Sequence, residues 1–104
     1  RQVCPLCYCE VCIADENQPQ WIETSSHTRG NYHWNLIRAW HLAGRCIDCL
    51  ECERACPVDI PLSLLNRRLA RSVKERFGYE PGYDMEASPP FTDFKLEDSQ
   101  EFIK

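Results

Sequence analysis

The run C46-I-D-C-L-E-C-E-R-A-C56-P57 spaces four cysteines as C-x2-C-x2-C-x3-C-P, an arrangement in which thiolates wrap an iron–sulfur cluster. Two residues between cysteines let a loop set sulfur on successive irons of a compact cube. The proline after the last cysteine fixes φ and removes a backbone N–H as the chain turns away. Working outward, a second group lies in V3-C-P-L-C-Y-C-E-V-C12 and contributes Cys4, Cys7, Cys9 and Cys12. Together with Cys46, Cys49, Cys52 and Cys56 these make eight cysteines, the ligand count of two four-cysteine [4Fe–4S] clusters.

The two groups are not equivalent. The first is spaced x2, x1, x2, with Pro5 after its first cysteine and Ile13 after its last. Where two clusters share one chain, the cysteine before proline ligates the other cluster. The odd spacing of the first group keeps its division from being read off by that rule; the expected split is Cys46, Cys49 and Cys52 with Cys12, and Cys4, Cys7 and Cys9 with Cys56, and a simpler division lets each group hold its own cluster. Zinc competes, because C4-P-L-C7 has the form of a zinc knuckle. A zinc-stapled interaction module, or one cluster beside one zinc, is therefore the alternative. Disulfides are disfavoured, since cysteines one or two residues apart pair poorly.

The chain has 104 residues, seven prolines and a formal net charge of −4, so it can bury only a thin core. Metal clusters are the expected staples, and metal binding should supply folding free energy. Thiolate clusters persist in reducing surroundings, which points to the cytoplasm. No apolar run approaches a membrane span, and the acidic balance argues against nucleic acid as partner. Arg1 stands only three residues before the first cysteine, as expected of a processed chain or of a fragment of a longer one.

Residues 13–30 are polar and without period, and read as a surface loop. From Asn31, a plausible N-cap, Trp34, Ile37 and Trp40 with Leu36 and Ala43 form an apolar stripe up to Gly44, predicting a packing helix that delivers Cys46. After Pro57, Leu62, Leu65, Leu69 and Val73 recur at helical steps between Pro61 and Phe77, with Gly78 as the stop. Its other face carries Arg67, Arg68, Arg71, Lys74 and Arg76, either a solvated face or a docking surface for an acidic partner. Residues 81–104 read as an extended tail with Phe91, Phe94, Leu96, Phe102 and Ile103 as apolar anchors. The expected organisation is a cluster domain over 1–80 followed by that tail. His27, His33 and His41 are assigned to packing or surface, because eight cysteines already satisfy two clusters.

Residues 30–69, from G-N-Y-H-W-N-L through the cysteine motif to N-R-R-L, resemble the dicluster [4Fe–4S] ferredoxin modules of anaerobic electron-transfer proteins. Those associated with heterodisulfide reductase, formate dehydrogenase and hydrogenase complexes are the most similar. The segment V-C-P-L-C-Y-C-E-V-C is similar to the first ligand group of proteins related to the beta subunit of the deazaflavin-reducing hydrogenase. The resemblance implies a small α-helical ferredoxin fold, mostly helical and irregular, with two helices flanking the cluster motif. It implies single-electron relay between redox subunits of hydrogenase, formate dehydrogenase or heterodisulfide reductase type. The residues themselves carry no G-x-G-x-x-G loop, no P-loop and no nucleophile–base pair, so substrate chemistry is expected elsewhere.

Overall fold

The computed structural model describes residues 2–97. Among these the regular structure is three helices, α1 (Thr28–Ala43), α2 (Glu51–Arg54) and α3 (Leu62–Phe77), with α3 packed on both others. The expectation of a mostly helical and irregular chain with two helices flanking the cysteine motif agrees with this order. Phe102 and Ile103 lie outside the described residues.

α1 starts earlier than its apolar stripe announces. Its N-cap is His27, whose Nδ1 accepts the Gly30 N–H at 3.0 Å, satisfying one of the orphan donors of the first turn. Nε2 of the same ring lies 2.8 Å from Glu23 Oε1. With Nδ1 accepting, Nε2 carries the proton and donates it to the carboxylate. Asn31, the cap expected from sequence, instead donates from Nδ2 to Ser26 O at 3.1 Å.

The faces are also rotated from those the stripes suggest. α1 buries Gly30, Ala39 and Ala43, with Gly30 against Ser25, while Trp40 is 58 % exposed and Trp34 lies beneath Arg38, 5.0 Å from its guanidinium carbon. α3 buries Ser63, Asn66 and Val73 and leaves Leu65 half exposed. Its first two turns face the cysteine loop, so polar side chains occupy positions that a purely apolar contact would give to leucine. The segment before α1 is less superficial than expected, since Ala14 and Ile22 are buried there.

Two glycines end the long helices by different means. Gly78 adopts φ 64° and donates its N–H to Lys74 O at 2.9 Å, the left-handed cap that glycine adopts without strain. Gly44 is not left-handed; a Cβ there would sit 3.6 Å from Pro90 and 3.7 Å from Phe91. Phe91 in turn meets Phe77 edge to face at 6.0 Å. The tail thus crosses the C-terminal ends of both α1 and α3, although Phe94 and Leu96, also expected as anchors, are largely exposed.

Candidate metal centre

α1 hands the chain directly to the cysteine motif: Cys46 N–H and Arg45 N–H both donate to Leu42 O. Two non-glycine residues between the next cysteines then take left-handed backbone, Asp48 at φ 60° and Leu50 at φ 67°. Aspartate tolerates this region; leucine pays for it in steric strain. Alternating hand along a loop turns successive N–H groups inward, the concavity that cradles anions and many iron–sulfur sites. Leu50 is also the N-cap of α2, accepting from Glu53 and Arg54 N–H at 3.1 Å. The single turn of α2 carries Cys52 and ends just before Cys56.

This loop and the N-terminal segment close on one narrow pocket of about 30 Å³, lined by Cys4, Cys46, Cys49 and Cys52 together with Leu6, Leu42, Leu50, Ser63 and Asn66. The room inside is about that of one water molecule. The first-group cysteine at this pocket is Cys4, where the expected split had Cys12. Pro5 and Leu6 line the same pocket, so the chain on the far side of Cys4 is packed against the motif, which brings that sulfur in. Cys7, Cys9 and Cys12 line a second, larger cavity of about 820 Å³, walled by Arg38, Trp40, His41, Arg45 and Phe91. Cys56 lines neither pocket; its Sγ accepts the Ile60 N–H at 3.4 Å. None of the eight cysteines is paired in a disulfide, and among the described residues no three His, Cys, Asp or Glu side chains converge as a single-ion site.

The sulfurs sit in partly dry surroundings. Burial pushes the Cys46 thiol above its ordinary value, against a lowering hydrogen bond from the Asp48 backbone. Burial and then the adjacent Cys4 push the Cys7 thiol up. Asn66 Nδ2 lies 3.6 Å from Cys52 Sγ. It is a contact invisible to a search for cysteines, and the only sequence signal is an asparagine interrupting an otherwise leucine-rich stripe.

Most of the charge around the motif is matched within the chain. Arg67 pairs with Asp48, Arg54 with Glu51, Arg71 with Glu75 and Lys74 with Glu80. Glu53 Oε2 accepts the Ser63 N–H at 3.3 Å, a carboxylate at the positive end of α3. The cationic face of α3 is accordingly less available for an acidic partner than its composition suggests. Arg45 stacks over Tyr8, 5.1 Å from the ring centroid, joining the two cysteine segments a second time. His41 lines the larger cavity and His33 the open polar surface beside Glu23. No helix of the described residues is long and apolar enough to cross a membrane.

The chain matches no family model, and no solved structure matches it. Over 92 residues it is 36 % identical to the F420-dependent formate dehydrogenase subunit beta of Methanocaldococcus jannaschii, a stretch covering 88 % of this chain and 24 % of that relative. The chain thus spans about a quarter of the length of the curated relative that it resembles.

Proposed function

We propose that this chain is an electron-relay module holding two [4Fe–4S] clusters within a formate dehydrogenase-type complex. The observation that carries the reading is the pocket on which Cys4 joins Cys46, Cys49 and Cys52. A motif that already supplies three close thiolates gains its fourth from the other end of the chain, as in a reciprocal three-plus-one arrangement. Cys56, before Pro57, is then the crossing ligand to the cluster of Cys7, Cys9 and Cys12. The donor set fits the group: eight cysteines, with N–H groups of Asn66 and Ile60 donating to the sulfurs of Cys52 and Cys56.

When bound, each cluster accepts and releases one electron. The chain's own residues set its surroundings. Leu6, Leu42 and Leu50 exclude water from the narrow pocket, and the matched charges at Asp48 and Glu51 keep the local field small. With so few apolar side chains buried among the described residues, loading the clusters and folding the chain would be one process. The likeness to a formate dehydrogenase beta subunit supports a redox subunit as donor or acceptor; hydrogenase- or heterodisulfide reductase-type partners are the same class of reading.

Anaerobic purification followed by metal and sulfide analysis tests it. About eight iron and eight sulfide per chain are expected for two clusters, with broad visible absorption bleached by dithionite. About four iron with one zinc would reassign the first group to zinc, and a colourless zinc protein would replace electron relay by a stapled interaction module.

A further inference from the structure

We infer that Asn66 sets the reduction potential of one cluster by donating its side-chain N–H to Cys52 Sγ, an inference that rests on the two-cluster reading above. Asn66 is 8 % exposed and sits on α3, a separate element from the cysteine loop. It lines the same pocket as Cys4, Cys46, Cys49 and Cys52, and its Nδ2 is 3.6 Å from the Cys52 sulfur. A buried amide is costly unless its donors are used. Here the donor is aimed at a sulfur that cluster binding would make a strong acceptor, since a ligating thiolate carries negative charge where a thiol does not.

The electrostatics then have a definite sign. One-electron reduction, with the electron supplied by a one-electron donor such as a reduced mediator dye, adds a unit of negative charge to the cluster and its thiolates. No bond to iron forms or breaks in that step. The N–H···S bond is stronger to the more negative state, so it favours reduction and raises the midpoint. Ile60 N–H does the equivalent at Cys56 Sγ, but from the backbone, so that the two clusters differ in whether a side chain can be exchanged.

Redox titration followed by paramagnetic resonance on the anaerobically purified protein decides the matter. In Asn66→Leu, iron and sulfide per chain should match the parent and one of the two reduced-cluster signals should move to lower potential. At the parent midpoint its reduced-to-oxidised ratio should fall about tenfold, or about 59 mV for one electron; the other signal should stay. Asn66→Asp, of the same size, should move the same signal further in the same direction. Unchanged midpoints in a fully loaded Asn66→Leu protein overturn the inference. Should the variants lose their clusters, the parent protein labelled with ¹⁵N only at asparagine side-chain amides answers alone: a ¹⁵N hyperfine coupling on one reduced cluster supports the contact, and its absence on both overturns it. A reduced protein with no cluster signal at all overturns the two-cluster reading and this inference with it.

Discussion

Arg67 Nε donates to Asp48 Oδ2 at 2.6 Å, tying α3 to the cysteine loop at the residue whose backbone is left-handed. Both side chains are about half exposed, so the pair is worth up to about 1 kcal/mol, not the full Coulomb energy of a buried ion pair. Its structural value is positional, because Asp48 stands between Cys46 and Cys49. Arg67→Ala and Asp48→Asn should each lower the stability of the loaded protein by under about 1 kcal/mol in low salt, and the double variant by no more than either alone. The difference should shrink in high salt, as exposed charges are screened. Thermal unfolding at two ionic strengths measures both effects.

Cys4→Ala should abolish the resonance signal assigned to the cluster on Cys46, Cys49 and Cys52, whereas Cys56→Ala should damage the cluster on Cys7, Cys9 and Cys12. Spectra of the two reduced variants compare directly. If Cys4→Ala spares the motif cluster and Cys12→Ala destroys it, the fourth ligand is Cys12 rather than the cysteine at the pocket.

Removal of iron should unfold the helices. Among the described residues the buried apolar side chains are Ala14, Ile22, Ala39, Ala43 and Val73, with no large side chain fully buried. Such a core is small against the backbone entropy of ordering the chain, about 1–2 kcal/mol per residue. Chelation followed by far-ultraviolet circular dichroism should therefore show helicity and visible absorption falling together. Helicity that survives complete iron loss would mean that α1 and α3 hold each other without the clusters.

Glu23 should titrate below the usual carboxylate range. Hydrogen bonds from Ser25 and then from His27 favour its charged form. A depressed folded-state value means that this carboxylate supports the start of α1 at pH above its unfolded value, near 4.5. That support is lost as pH falls through the lower folded value. Side-chain carboxyl shifts measured by nuclear magnetic resonance give the value directly, and Ser25→Ala should move it back up.

Gly78→Ala should cost about 1 kcal/mol, all of it conformational, because φ is 64° and nothing lies within 4 Å of the added Cβ. Gly30→Ala differs in cause: its Cβ would meet Ser25 Oγ at 2.8 Å and Ser25 O at 3.1 Å. Part of that clash is with backbone, so Gly30→Ala should also disturb the His27 cap. Denaturant midpoints of the two variants separate strain from crowding.

The cysteine spacing and both long helices were readable because each rests on a local pattern: close thiols, a helical apolar period, and Gly44 and Gly78 at the ends. What escaped depends on residues distant in sequence. The carboxylate at the start of α3 comes from Glu53, and the fourth sulfur at the motif pocket comes from Cys4. Neither has a local signature. The cap of α1 was misplaced for another reason: imidazole Nδ1 accepts a backbone N–H as an asparagine oxygen does, but histidine is not among the residues that usually announce a helix start. The tryptophans misled because bulk was taken for burial, whereas α1 buries Gly30, Ala39 and Ala43.

The strap formed by Pro89, Phe91 and Thr92 has a consequence for synthesis. The pocket of Cys4, Cys46, Cys49 and Cys52 has every lining residue once Asn66 has left the ribosome. The larger cavity lacks a wall until Thr92 has followed. Every residue lining the narrow pocket is therefore synthesised before the walls of the larger cavity are complete.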